Sequence, residues 1–140
     1  MPRWAGDAEQ VPLLLLRAAL PGVTVRASIP DGLLDYLPLV VLRRVPAGGS
    51  PAPRFWDGPL MNVQCWSDAT DDLDPYAAAS DLADQCRQAL WEAWDNQTVT
   101  AAGHIVGLRE SQAPTEVVDP DLPRLGRYVA TYALRVRNTT

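Results

Sequence analysis

His104 is the only imidazole in the chain, so any hydrolytic triad would have to be built around it. A triad needs a nucleophile held by that base, and no GxSxG turn or cysteine-flanking signature accompanies His104. Beside Gly103 and inside an apolar strand pattern, it reads as a packing or surface residue. Asp68, Asp71, Asp72 and Asp74 are the best hard-cation ligands, but they lack the order of an EF-hand loop and its distal glutamate. They read as the approach to a helix N-terminus, where negative charge is favoured. Gly48-Gly49 opens no helix and no Lys-Ser/Thr follows, so it is no phosphate loop. Cys65 and Cys86 have no metal spacing and are expected as small core residues, both pointing inward. The reading is a protein without a catalytic residue, a cofactor or a metal.

Aromatic and arginine side chains are more informative, because Trp, Tyr and Arg carry most interface energy. Arg54, Phe55, Trp56 and Asp57 stand together inside a Pro/Gly-rich stretch, where an indole needs a pocket. Trp91 falls on the polar side of its helix. Arg127, Arg135 and Arg137 share one side of the last strand. These eight positions are the candidate interface residues, and the carboxylates of an adjoining copy are the expected partners of Arg135 and Arg137.

The elements that position them follow from periodicity. Residues 8–20 predict a first helix with Val11, Leu14, Leu15 and Ala18 inward and Asp7 as N-cap; Pro21-Gly22 ends it. Strands are predicted at 23–29, 37–44 and 60–66, the last with Met61, Val63 and Cys65 on one side. Residues 46–59 and 112–124 read as long Pro-rich loops, the first free of regular structure and mobile until assembly. The strongest helix is 75–95, capped by Asp74 with Pro75 in the first turn. A strand around His104–Leu108 and a long one at 126–137 complete an α-β-β-β-α-β-β order. In the last strand Tyr128, Ala130, Tyr132, Leu134 and Val136 alternate against the arginine side. This predicts a single α+β domain over residues 1–140, two-layered, with a mixed or antiparallel sheet and both helices on one face. The other face, with Arg43 or Arg44, Gln64, Val129, Ala133 and the last arginines, is too apolar for water and too polar for a core.

Composition narrows the function. The 140 residues are 47% hydrophobic and 21% charged, with a net charge of −5, which argues against general nucleic-acid coating. All 12 basic residues are arginine. No apolar run approaches the ~18 residues of a membrane span, and Leu13–Leu16, cut by Arg17, makes no signal peptide.

The first helix, the strand ending in Arg43-Arg44, the Gly/Pro stretch and Met61-Asn-Val-Gln-Cys-Trp66 before an Ala-rich helix form one pattern with the final Gly126-Arg-Tyr-Val-Ala-Thr-Tyr-Ala-Leu-Arg-Val-Arg137 strand. Over about residues 7–137 this pattern resembles the tail terminator proteins of long-tailed, siphovirus-type bacteriophages. The resemblance implies a structural protein of the virion that caps the tail tube, stops its polymerisation and offers the head-joining surface. It implies a homohexameric ring at the head-proximal end of the tail, assembled in the host cytoplasm. Partners would be the tail tube protein and a head completion or connector protein, with DNA passing through the lumen without specific binding and no membrane involved. The alternatives are another neck protein, such as a head-completion or stopper protein, and a small α+β enzyme or ligand-binding module using the 68–74 carboxylates.

Overall fold

Side-chain alternation along two long strands decides how the layers stack. The computed structural model describes residues 8–52 and 55–138. Its elements are α1 (Gln10–Ala19), β1 (Thr24–Arg26), a 3-10 turn (Leu33–Tyr36), β2 (Leu39–Gly48), β3 (Pro59–Ser67), α2 (Pro75–Asp95), β4 (Gly103–Glu116) and β5 (Gly126–Asn138). The strands form one five-stranded sheet in the order β1-β2-β3-β5-β4. β1 runs parallel to β2, and every other pair is antiparallel. The fold is therefore α+β with a mixed sheet, in the expected element order.

β3 and β5 pair from Leu60↔Ala133 to Ser67↔Gly126. That register puts Met61, Val63, Cys65, Ala130, Tyr132 and Leu134 on one face, where they join buried residues of both helices in a single apolar cluster. α2 begins where the sequence predicts: Asp74 Oδ1 accepts from the Ala77 N–H at 2.8 Å, and Pro75 occupies the first turn, where its missing N–H costs nothing. Ala79, Leu82, Ala83, Cys86 and Leu90 seat the helix on the sheet. Burying each leucine is worth about 1.5–3 kcal/mol. β5 starts so close to the helix N-terminus that a Cβ on Gly126 would run into the Pro75 carbonyl, and only glycine fits.

Several boundaries differ from the expectation. In α1, Pro12, Leu13 and Leu16 are buried with Val11 and Leu15, while Leu14 is half-exposed and Ala18 exposed. Helix α1 meets α2 as well as both edge strands, β1 and β4, which turns its buried stripe. Asp7 lies outside the described residues, and Glu9 at the N-cap makes no side-chain capping hydrogen bond. The predicted strand 23–29 shortens to β1, three residues long, because the chain leaves the sheet to cross over through the 3-10 turn. β4 runs on to Glu116 across several register shifts, so the second predicted loop begins at Val117.

The stretch 46–59 was expected to lack regular structure, and its described ends do not. β2 continues to Gly48, Pro59 opens β3, and the Gly49 N–H donates to the Gly58 carbonyl at 2.8 Å. Asp57 exchanges both backbone hydrogen bonds with Val136 at 2.8 Å, in register with the β3–β5 ladder. Glycine and proline interrupt periodicity but do not forbid pairing at an irregular hairpin base.

Tyr132 sits in the middle of the core with 1% of its surface exposed, and its hydroxyl has no hydrogen-bond partner among the described residues. Burial pushes the phenol well above the ordinary tyrosine range, and the nearby Glu110 carboxylate adds to the effect. The native state thus keeps a proton that the unfolded chain releases near pH ~10. Tyr132→Phe is expected to leave stability at pH 7 within about 1 kcal/mol of the parent, because the lost hydroxyl was unpaired. Tyr132→Ala should cost about 3–5 kcal/mol. Above pH ~10 the parent should lose stability with rising pH and Tyr132→Phe should lose less, a difference read from urea midpoints across the alkaline range.

Candidate functional site

The face of the sheet away from the helices is open over much of its area. Its lower end is closed by a second, smaller apolar cluster of Leu39, Val41, Trp66 and Leu125, with Leu33, Leu37 and Leu122 packed around it. These leucines come from the 3-10 turn and the 117–125 segment, two irregular stretches with no periodicity to announce a core role. Tyr76 helps hold the second stretch, donating its hydroxyl to the Pro123 carbonyl at 2.9 Å.

Above that cluster the face turns polar. Arg127 lies over the Trp66 ring, 5.0 Å from its centre, and donates from Nη2 to Gln64 Oε1 at 2.9 Å. Gln64 in turn donates to Asn62 Oδ1 at 2.8 Å, and longer 3.5 Å contacts continue through Thr131 to Gln112. Three strands, β3, β5 and β4, are linked by this chain of side chains. At the upper end Arg135 stacks on Trp56 at 4.5 Å, and at the β1 edge Arg26 stacks on Tyr36 at 5.1 Å. A planar guanidinium can lie on an aromatic ring and keep its charge.

The register settles which residue of the Arg43-Arg44 pair faces out. Arg43 pairs across from Asn62 on the open face, whereas Arg44 is opposite Met61 on the helix side. There Arg44 donates to both oxygens of Asp57, at 2.7 and 3.0 Å, and the Gly58 N–H donates to Asp57 Oδ1 at 2.8 Å. Asp57 is only 3% exposed. It was expected at an interface; instead its carboxylate is turned inward, locking the end of the sheet. The neighbouring Gly58 is needed for close approach, since a Cβ there would strike the Gly49 carbonyl and crowd the Trp56 ring at 3.1 Å.

The structure therefore brings together Phe55, Trp56, Arg135 and Arg137, which with Val106 line a shallow groove of about 290 Å³. Phe55 is 62% exposed. Arg54 lies outside the described residues. Arg127 belongs to the same face but sits lower, over Trp66. Trp91 stands apart on α2, 41% exposed, its ring 5.1 Å from that of Trp94. His104 is across from Arg137 on the edge strand. The described residues contain no group of three or more His, Cys, Asp or Glu side chains arranged to hold a metal ion. Cys65 and Cys86 are buried free thiols with Sγ atoms 3.9 Å apart; their mutual contact, then burial, pushes the Cys65 thiol well up. No helix among the described residues is long and apolar enough to cross a membrane. What sequence reasoning missed is Arg109, which the Arg109↔Ala133 pairing also sets on the open face.

Residues 5–125 match a family described as phage tail termination protein. The chain is 27% identical over 117 residues to the Gene 22 protein of Mycobacterium phage L5, covering 83% of this chain and 79% of that one. It is also similar, at 18% identity and a TM-score of 0.45, to a chain in the solved virion of a native gene transfer agent particle, covering 93% of this chain and 94% of that one.

The exposed Trp91 differs from the buried Arg44–Asp57 pair in what its loss should do. Asp57→Ala strands Arg44 beside the core and should cost about 2–3 kcal/mol, less than the 3–5 of a fully buried pair because Arg44 is partly solvated. Trp91→Ala should change subunit stability by under about 1 kcal/mol. Chemical denaturation of the two variants checks both values, and amide exchange at Gly49 should accelerate in Asp57→Ala alone.

Proposed function

The chain belongs to the phage tail termination protein family, and from that premise we propose that it caps the tail tube. It is a structural protein of a phage virion. In the proposed role it binds the last tube ring, stops further polymerisation, and presents at the head-proximal end of the tail the surface to which a head completion or connector protein attaches. It works as a homohexameric ring through whose lumen DNA passes without specific binding. Catalysis has no part in this reading.

The match over residues 5–125 carries the proposal. The geometry supports it: ending a polymer requires two unlike surfaces, one that continues the tube contact and one that refuses another tube subunit. In a ring these are its two axial ends, and the open sheet face and the helix layer, which differ in chemistry and point in opposite directions, are left free for the neighbouring copies.

Deleting this protein from its phage and measuring tails by negative-stain microscopy tests the role. Tails should grow well past their usual length, and supplying the protein in trans should restore both length and head attachment. Tails of normal length that merely fail to join heads would overturn the capping role and favour a stopper or head-completion protein.

A further inference from the structure

The strand positions of the open face carry Arg26, Arg43, Arg109, Arg127, Arg135 and Arg137, and not one Asp or Glu. This is half of the basic residues in a chain of net charge −5. Arg43, Arg109, Arg135 and Arg137 form no ion pair with any described carboxylate, and Arg135 has only the Trp56 ring beneath it.

The helix layer is the reverse. Between Asp68 and Asp95 the chain has eight carboxylates and one arginine, Arg87, whose guanidinium is held by Glu110 at 2.8 Å. On the outer side of α2, Asp81, Asp84, Glu92 and Asp95 recur at helical spacing and are all exposed. Among the described residues Asp81 and Asp84 accept only from the amides of Gln85 and Gln88, at 2.8 and 2.9 Å, and no described cation pairs with them. Trp91 stands exposed in the same stripe.

We propose that the arginine face of one copy docks on the outer side of α2 of the next copy, with Arg43, Arg109, Arg135 and Arg137 meeting its carboxylates. The proposal rests on the ring reading and gives that ring its contact. Charge complementarity within one chain identifies the occupant: the strand positions that lack carboxylates and the α2 stripe that lacks cations belong to the same molecule. They lie on opposite sides of the domain, so each copy offers one to each neighbour. A two-fold dimer through either surface would set like charges together, whereas a head-to-tail contact pairs opposites, and it makes a ring when the rotation between successive copies closes. Trp91 and Phe55 supply apolar contact beside the ion pairs, as an interface core requires. A nucleic acid would use the arginines but leave the acidic stripe and Trp91 without a partner.

A charge-swap experiment tests this. Arg135→Glu with Arg137→Glu makes one variant, and Asp84→Arg with Glu92→Arg makes the other. Circular dichroism should show both folded, because all four side chains are exposed. By sedimentation at ionic strength of about 0.1 M, the parent should self-associate and dissociate towards 1 M, where the screening length falls to about 3 Å. Each variant alone should associate at least roughly tenfold more weakly. A 1:1 mixture should recover oligomers, since every contact in an alternating ring is again between opposite charges. If a reversal fails to fold, Arg135→Gln with Arg137→Gln must show the same weakening. Variants that assemble like the parent, a mixture that stays dissociated, or a parent that is monomeric throughout would overturn the proposal. So would a parent that binds a DNA duplex through Arg135 and Arg137 and does not bind itself. Tail length in the deletion phage is scored separately, so a failed contact and a failed capping role give different results.

Discussion

The antiparallel register between β3 and β5 is the constraint on which both faces of this protein depend. The two strands lie about sixty residues apart in the chain and meet residue for residue from Leu60↔Ala133 to Ser67↔Gly126. Strand side chains alternate, so a slip of one position would carry Tyr132 and Leu134 into water and bring Arg135 against α2. Burial of the alternating apolar set makes that slip prohibitive. The arginine face is thus a by-product of core formation as much as a surface in its own right: it occupies the positions that core packing leaves over.

Two features lock the register at its ends. At one end Gly126 lets β5 pass against the first turn of α2, where any side chain would collide with the Pro75 carbonyl. At the other, Asp57 continues the ladder by pairing with Val136, and its carboxylate is held by the two terminal guanidinium nitrogens of Arg44. The pairing along β3 and β5 is consequently fixed by sterics at its start and by charge at its finish. The Pro/Gly-rich hairpin beyond Asp57 inherits a firm base and delivers Trp56 over Arg135.

What was legible in the sequence follows the strength of the local signal. The boundaries of α2 are written in Asp74, Pro75 and a long apolar stripe, and β5 in twelve residues of clean alternation, so both were predicted closely. The inward placement of Cys86 followed from the α2 stripe, and that of Cys65 from the shorter alternation of β3. Contacts made by irregular segments were not legible. Leu33, Leu122 and Leu125 cover the lower sheet face from stretches without periodicity, and nothing local distinguishes them from solvent-facing loop leucines. The inward turn of Asp57 depends on Arg44, thirteen positions away across a hairpin, and alternation alone could not say whether Arg43 or Arg44 faced out. Arg109 escaped notice because its face depends on the register shift between Ile105 and Gly107.

Six arginines on the strand positions of one sheet face, with no carboxylate among those positions, would ordinarily repel one another, and the use of arginine rather than lysine explains how half of them are held close to the sheet. Three of the six guanidinium groups lie on aromatic rings: Arg26 on Tyr36, Arg127 on Trp66 and Arg135 on Trp56. Each stack spreads positive charge over a negative ring face and draws the side chain down along the sheet. A lysine ammonium, compact and strongly hydrated, would extend into water from the same positions. Stacking also holds the guanidinium in place before any partner arrives, so less side-chain entropy is lost when a carboxylate docks. The same aromatic rings that make the face tolerable in an isolated subunit therefore prepare it for contact with an acidic surface.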